Sequence, residues 1–540
     1  MTSATPFTLP QLPNELLEAV FALLDSDDVK NLRATCSAMA EVIPLSFDRV
    51  FISANSLNLK VFRAIADDET IRHQVTEIVW DDARLSTGPE LEEERMEYEE
   101  EIRMAYEEDG VDPNDAVADN GCPLWFKKGR SDYLNPKSYK LPDYLMGVEE
   151  SWAYYKPLLD DQRQVLASDA DIKAFKHGLQ RFPSLRRVTI TPSAHGRIRN
   201  PLYRTPMIRA FPRGFDYPVP TAWPWYTLDL SEPADVLPWV SEDDSPYQEM
   251  YGPGCTVEAY RAKWRGYRVV IRALAAHDDH HITELYIGGN EVESGLNCRI
   301  FDQRCVEYDD LVTLLRRPGF QYLSLDLFTG LLEREDWESY KSGLLNDALA
   351  QAKDLEHICL RSTMEITGGS SEQLDWERIE NYVFPLRTIF PIDQWPRLRH
   401  FGISHMLVQV DDLMELLSAL PRTLRSVELS NLAWGSLTHR TRELLPNMRD
   451  VLDWRSRPVE ERPKVHMIVS GAACGDGDRD GWYVEIDDLV YSFLYGEGKN
   501  PLSQHPDIIY TWEGGVRRDI FNPGFRAPHT NKNFYLVTGI

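Results

Sequence analysis

Along most of the chain, apolar positions recur in a short pattern that ends in alternation. In each copy, two variable residues separate the first and second apolar residues, and one separates the second and third. Such alternation is typical of a strand with one buried face. The copies are Val75-Ile78-Trp80, Leu185-Val188-Ile190, Ile282-Leu285-Ile287, Phe320-Leu323-Leu325, Leu355-Ile358-Leu360, Leu398-Phe401-Ile403 and Leu424-Val427-Leu429, with a degenerate last copy at Val465-Met467-Val469.

Segments with helical periodicity lie between these strands. Apolar residues three and four apart predict helices over residues 256–276, 309–317, 337–355, 411–420 and 439–454. A helix followed by a strand, repeated along the chain, predicts an α/β fold built as a stacked array. The pattern resembles an irregular leucine-rich repeat, with longer periods and no fixed consensus, and that resemblance implies an α/β solenoid. An ordinary α/β domain with crossover helices is the alternative.

The first fifty residues follow a different pattern, with two short helices that carry more apolar surface than they can bury together. Pro13 suits the first position of a helix, because its missing N–H would have no partner there. A broad apolar stripe follows, from Leu16 to Leu24. After the acidic run 25–28, one further helix is predicted with Val29, Leu32, Cys36 and Met39 on one face. A unit of this size rarely stabilises itself, so it either packs onto the rest of the chain or docks another protein.

The order, type and spacing of these residues resemble the F-box motif. The residues that match it are Leu12, Pro13, Glu15, Leu16, Leu17, Val20, Phe21, Leu24, Val29, Leu32 and Cys36. Met39 departs from the family pattern, which often has Trp at this position, and Met fills irregular apolar gaps well. The resemblance implies that this set, without Glu15 and with Met39 added, binds the Skp-type adaptor of a cullin–RING ubiquitin ligase.

The sequence therefore predicts an F-box module at 1–50 and a substrate-recognition domain at 51–540 with two long insertions. Residues 86–165 form an acidic insertion, in which 90–119 hold fourteen carboxylates against two arginines. That run is interpreted as a solvated segment, or alternatively as an arm that attracts a basic substrate. Residues 200–254 form an insertion rich in Pro and aromatic residues, which either covers the array or contacts a partner.

Composition excludes several classes of partner. The chain has 86 carboxylates against 58 Lys and Arg, for a net charge of −28, so neither nucleic acid nor an anionic membrane is expected as a partner. No signal peptide and no apolar run long enough to span a bilayer are recognised. The seven Cys are scattered and never spaced as CxxC, which predicts buried free thiols in a reducing compartment. We therefore expect a cytoplasmic or nuclear protein.

Two polar runs could bind a metal ion, and neither is assigned one. His277, His280 and His281 lie between a helix and a strand, where His often caps or turns the chain. Asp476, Asp478, Asp480 and Asp487 match part of an EF-hand loop, but a strand precedes them and a polar turn between strands explains them as well. No nucleotide-binding or catalytic motif is present, and no cofactor is expected.

Taken together, the chain resembles the fungal F-box proteins with degenerate repeats. This resemblance implies the substrate-recognition subunit of an SCF-type ubiquitin ligase, which docks the adaptor and through it a cullin, and holds an unidentified target protein. Such a subunit is not itself an enzyme, because proximity to the ubiquitin-charged enzyme supplies the rate. An F-box scaffold outside ubiquitination and a ligand-binding α/β protein remain as alternatives.

Overall fold

A computed structural model places most of the chain in a mixed α/β fold. It describes residues 12–13, 16–17, 20, 26–43, 47–88, 122–130, 144–195, 201–218, 220, 223, 258, 261–277, 280–289, 294–329, 338–363, 383–430, 432–434, 441–470 and 483–502. Within these ranges lie fifteen α-helices, six short 3-10 helices and fourteen strands. None of the helices in the described ranges is long and apolar enough to cross a membrane.

The strands are β1 Arg49–Ile52, β2 Glu77–Asp81, β3 Arg187–Thr191, β4 Glu284–Ile287, β5 Leu296–Asn297, β6 Tyr322–Phe328, β7 His357–Ser362, β8 His400–Ser404, β9 Leu407–Val408, β10 Ser426–Ser430, β11 Ala433–Trp434, β12 Lys464–His466, β13 Ile468–Ser470 and β14 Tyr483–Glu485. Ten of them form one sheet in the order β1-β2-β3-β4-β6-β7-β8-β10-β12, with β5 beside β6. Every pair in this sheet is parallel.

The α-helices are α1 Ser26–Thr35, α2 Ser37–Val42, α3 Ser56–Asp67, α4 Leu124–Lys128, α5 Val148–Ala167, α6 Ala170–Arg181, α7 Pro206–Arg209, α8 Arg265–Ala276, α9 Val306–Leu315, α10 Glu338–Lys341, α11 Leu344–Leu349, α12 Leu386–Ile389, α13 Val410–Ala419, α14 Thr441–Val451 and α15 Asp487–Tyr495. The 3-10 helices are Ile71–His73, Ala262–Trp264, Cys298–Phe301, Ile392–Gln394, Asp453–Ser456 and Val459–Glu461.

The order of the strands follows the order of the chain, which places the crossover helices on one face of the sheet. Successive parallel strands that lie side by side and are joined by right-handed crossovers all send their connections over the same face. The second and third apolar residues of the seven regular copies of the pattern, such as Leu323 and Leu325, are buried in one continuous core with residues of α3, α6, α8, α9, α11, α13, α14 and α15. The predicted alternation of apolar and variable positions is therefore confirmed, because the apolar face packs on helices.

Three predicted elements differ from the structure in where they begin or in being divided. The predicted helix 337–355 is two helices, α10 and α11, and Gly343 between them has a φ of +84° that favours glycine. The last strand pattern is divided at Met467: β12 stays in the main sheet, and β13 pairs antiparallel with β14 instead. The predicted helix 256–276 is regular only from Arg265, after a 3-10 turn.

The predicted second helix of the N-terminal module is also divided. It consists of α1 and α2, which pack against each other, with Cys36 between them in an extended conformation (φ −164°, ψ 161°). Cys36 is exposed, in contrast to the buried thiol that the sequence predicted, whereas Cys122, Cys298 and Cys359 are buried. The break places Met39 on a separate helix from Val29 and Leu32, so the predicted single helical face does not exist.

Candidate interaction surfaces

Three apolar residues of the N-terminal module are buried outside the core clusters of the body. Leu17, Met39 and Ile43 are buried, yet none of them belongs to the hydrophobic core clusters identified among the described residues of the body. The Arg33 guanidinium donates a hydrogen bond to the Ile43 carbonyl and links α1 to the end of α2. Leu16, the neighbour of Leu17 on the first helical turn, is 52% exposed. The module therefore keeps a large apolar side chain at its surface.

The other residues predicted to bind the adaptor lie at varied depths. Pro13 and Cys36 are exposed. Phe21 and Leu24 lie outside the described residues, and the remaining four are half-buried: Leu12, Val20, Val29 and Leu32. The structure therefore leaves apolar area of this module accessible, although it does not gather all the predicted residues on one helix face.

A row of polar and aromatic residues crosses the sheet on the face opposite to the helices. We call it the polar ladder, and its members occupy the first register position of nine successive strands. They are Arg49, Glu77, Arg187, Glu284, Tyr322, His357, His400, Ser426 and Lys464. Each member lies next in sequence to an apolar residue that faces the helices, so alternation along the strand places it on the other face.

One ion pair joins β1 to β2 and another joins β3 to β4 along the polar ladder. Arg49 Nε lies 2.7 Å from Glu77 Oε2, and Arg187 Nε lies 2.6 Å from Glu284 Oε2. Thr189, which belongs to the neighbouring row, donates a hydrogen bond of 2.5 Å to Glu77 Oε1. Opposite charges directly across neighbouring strands stabilise a sheet and resist a shift in its register.

Stacked rings continue the ladder across the next three strands. The Arg187 guanidinium lies 4.7 Å from the centre of the Tyr322 ring. Tyr322 stacks on His357, and His357 stacks on His400, each with ring centres 4.0 Å apart and planes within 11° of parallel. His400 Nδ1 lies 2.7 Å from Ser426 Oγ. The rings are half-buried, so their edges contribute to an accessible strip of the sheet.

Beside the stacked rings, one arginine is held in a buried acidic environment. Arg361 NH1 lies 3.3 Å from Asp326 Oδ1, and Arg361 NH2 lies 3.5 Å from Glu428 Oε1. Burial lowers the pKa of Arg361, but the nearby Cys359, Glu428 and Asp326 outweigh it and hold the pKa well above its ordinary value. Two carboxylates shared by one guanidinium satisfy this charge internally, which suits a structural role.

The same face of the sheet is covered at its first strands. Tyr203 and Ala194 form a small cluster with Val79 of β2, and Phe51 of β1 packs against it. Further along this segment His195 Nδ1 lies 2.8 Å from Tyr217 Oη, and burial lowers the pKa of His195 to about 3. This part of the strand face is therefore closed. Further along the sheet, five residues of the same face are also buried: Cys359, Gly402, Ser404, Glu428 and Ser430. On β7, β8, β10 and β12 the side chains that stay accessible on this face are those of the polar ladder, Arg361 and His466.

The insertion at 200–254 packs inward at its one described tryptophan. Trp223 is buried and its Nε1–H donates a 2.7 Å hydrogen bond to Asp82 Oδ2. Burial raises the pKa of Asp82. The charge of Arg84 and the hydrogen bonds that Asp82 accepts oppose that rise in pKa. Trp225 and Trp239 lie outside the described residues. Within the insertion at 86–165, α5 also packs inward through Tyr155 and Leu159, while the acidic run 90–119 is outside the described residues.

The two weak metal candidates have structural explanations where the structure describes them. The Ile282 N–H donates to His280 Nδ1, so Nε2 carries the proton and donates to the Leu274 carbonyl. Burial lowers the pKa of His280 to about 4, and both ring nitrogens are occupied. Asp487 begins α15 and accepts a hydrogen bond from the Met467 N–H. Asp476, Asp478 and Asp480 lie outside the described residues, and no group of potential metal ligands is found in the described part.

The apolar pattern alone does not predict the polar ladder, although a signal for the ladder is present in the sequence. Within one copy the positions between the apolar residues are variable, and their common character shows only when the copies are compared. Aligning the copies on their second apolar residue places Glu77, Arg187, Glu284, Tyr322 and His357 in one column. Charged and aromatic residues in that column indicate cross-strand partners.

The fold and these surfaces define a mixed α/β protein with a long parallel sheet, preceded in the chain by two short helices. Neither the protein-family models nor the curated proteins contain a match to this chain. The function must therefore be inferred from the residues themselves.

Proposed function

We propose that this protein is the substrate-recognition subunit of an SCF-type cullin–RING ubiquitin ligase. Its N-terminal module would act as an F-box that docks a Skp-type adaptor, and its body would hold a target protein. The observation that carries this proposal is the exposed Leu16 beside the buried Leu17, in a module whose buried residues lie outside the body's core. Ubiquitin transfer would occur on the assembled ligase, with this chain supplying proximity.

Two features of the module support docking. Burying a Leu or Phe side chain contributes about 1.5–3 kcal/mol, so an exposed Leu16 beside the half-buried Val20 offers binding energy to a partner. Arg33 and Ile43 join the two helices that follow, so the surface stands on an ordered support. A partner that covers this apolar area would remove it from water.

For the body, we propose a leucine-rich-repeat-type solenoid whose strand face binds the target. The parallel strands follow one another in chain order with helices on one side, which is the arrangement that stacked repeats produce. The opposite face presents side chains at regular intervals of about 4.8 Å from strand to strand. A target protein would contact several strands at once through the accessible row of the polar ladder from Tyr322 to Lys464.

The test of the docking proposal is co-purification with the adaptor. The double variant Leu16→Ala with Phe21→Ala is expected to lower the adaptor affinity by about a hundredfold or more, because two large side chains would lose their burial. Leu489→Ala is the matched control, since Leu489 is 41% exposed on the last helix of the array. Affinity is measured by pull-down of the tagged full chain with purified adaptor.

Undiminished co-purification of the double variant, with the control behaving as wild type, would contradict the docking proposal. Circular dichroism of both variants confirms that the body remains folded. Adaptor binding without any change in cellular ubiquitination after deletion of the gene would instead favour a scaffold function. Proximity labelling with the full chain and with a chain that lacks residues 1–50 identifies target proteins.

A further inference from the structure

One edge of the sheet carries positive charge in a protein that is otherwise strongly acidic. Four turns lead into β7, β8, β10 and β12, and we call residues 353–357, 396–400, 421–426 and 462–466 the basic edge. These segments hold seven Lys and Arg, three His and only two carboxylates, while the whole chain has a net charge of −28. Positive charge is therefore concentrated at this edge, although the chain as a whole is acidic.

The four turns are neighbours in space. The Arg399 N–H donates to the Glu356 carbonyl at 2.7 Å, the Arg425 N–H donates to the Arg399 carbonyl at 2.7 Å, and the Lys464 N–H donates to the Arg425 carbonyl at 2.9 Å. Four adjacent strands span about 14 Å, a distance that about five residues of an extended peptide bridge. His357 and His400, the stacked rings of the polar ladder, border this row.

Several of these cations are directed to solvent and only weakly neutralised. Arg422 is 84% exposed, and its nearest carboxylate contact is Asp453 at 3.9 Å. Arg399 makes a similarly long contact of 3.9 Å with Glu356. Arg397 pairs with Asp354 at 2.8 Å and is 65% exposed, whereas His466 pairs with Asp487 in a half-buried site. The exposed pairs of Arg397, Arg399 and Arg422 contribute little, so an incoming anion can replace them.

Other cations of the edge serve the fold. Arg425 donates to the carbonyls of Arg422 and Leu424, and Arg462 donates to the carbonyls of Arg455 and Arg457. Lys353 donates to Gln394 Oε1. The side chains that a ligand can reach are therefore Arg399, Arg422 and Lys464, and Arg397 once the ligand replaces its exposed pair with Asp354.

We propose that the basic edge binds an acidic segment of the target protein, rich in Asp and Glu. This proposal rests on the proposed function, because it names the chemistry by which the body would recognise its target. Charge complementarity favours such a segment and increases its rate of association. Salt screens the repulsion between a short acidic segment and the more distant carboxylates of the protein, because the screening length is about 8 Å at physiological ionic strength. A long nucleic acid would extend beyond the edge and meet that surface.

The test uses the full chain and a fluorescent ten-residue peptide of alternating Asp and Glu with glycine spacers, measured by fluorescence anisotropy. The double variant Arg422→Glu with Lys464→Glu is expected to weaken binding by about tenfold or more, because two attractions become repulsions. The matched control is Arg163→Glu with Lys176→Glu, which makes the same change in net charge at exposed positions of α5 and α6. The control is expected to bind like wild type.

Equal weakening in both double variants would overturn the proposal, because the peptide affinity would then depend only on the net charge of the molecule. Tighter binding of a single-stranded oligonucleotide of the same charge would also overturn it. Adaptor co-purification is measured on the same variants: loss of peptide binding with intact adaptor binding supports the basic edge. If the peptide binds and the adaptor does not, only the proposed function fails.

Discussion

His195 illustrates how burial of one side chain couples stability to pH. It lies in the covered part of the strand face, with Nδ1 2.8 Å from Tyr217 Oη, and burial lowers its pKa to about 3. In the unfolded chain the pKa is about 6.5, so between these values the unfolded state binds more protons than the folded state. The free energy of unfolding should therefore fall as the pH falls below about 6.5.

We predict that His195→Gln removes this pH dependence. Wild type should lose about 2 kcal/mol of stability through this residue between pH 7 and pH 5, and the variant should lose that much less. Urea denaturation at pH 7, 6 and 5 measures the difference. Asp81, whose pKa burial raises well above its ordinary value, contributes in the opposite direction and is present in both proteins. Parallel stability profiles for the two proteins would show that His195 is not buried as described.

At the scale of elements, helix α8 depends on close packing at its first turn. The Gly266 N–H donates to both carboxylate oxygens of Asp82, at 3.0 and 2.9 Å, which satisfies an otherwise unpaired donor at the helix N-terminus. A Cβ on Gly266 would lie 2.3 Å from Trp80 Nε1 and 2.6 Å from Asp82 Cγ. Glycine is therefore required here because Trp80 of β2 and the neighbouring Asp82 lie against the first turn of α8.

We predict that Gly266→Ala destabilises the protein by about 2 kcal/mol, because overpacking outweighs the better helix propensity of Ala. Gly147→Ala is the matched control. Gly147 caps α5 with a φ of −58°, and the nearest atom to an added Cβ is 3.9 Å away. Its substitution should change stability by less than about 1 kcal/mol. Thermal and urea unfolding compare the two variants, and equal effects would contradict the packing argument.

At the scale of the whole molecule, the buried residues of the N-terminal module lie outside the core clusters of the body, from which we infer that the two units have separate cores. Leu17, Met39 and Ile43 are buried outside the body's main cluster, while Phe47 packs against that cluster and β1 begins at Arg49. Separate cores allow one unit to be removed without opening a cavity in the other.

We predict that a chain beginning at Phe47 folds with a melting temperature within about 2 °C of the full chain. Its circular dichroism spectrum should lack only the helical signal of the module. A melting temperature many degrees lower would mean that the module is part of the body's core. In that case its apolar residues would have an internal partner, and the argument for docking would lose its support.

The apolar pattern of the sequence predicted eight of the ten strands of the main sheet, but of the described α-helices of the body it predicted only α8, α9, α10, α11, α13 and α14. Leu323 and Leu325, or Phe401 and Ile403, alternate because strand geometry places every second residue on one face, and that geometry needs no distant information. The ends of elements were less accurate, as at Gly343 and Met467, because turns depend on the local backbone and on which strand is available as a partner.

The sequence by itself determined the class of the fold, the apolar face of each strand and the apolar surplus of the N-terminal module. Only the tertiary structure decided which polar residues meet. Arg187 contacts Tyr322, and Asp82 contacts Gly266, across more than a hundred intervening residues. The polar ladder and the basic edge depend on strand order and register, which many residues set cooperatively, whereas the apolar pattern is a property of each short segment.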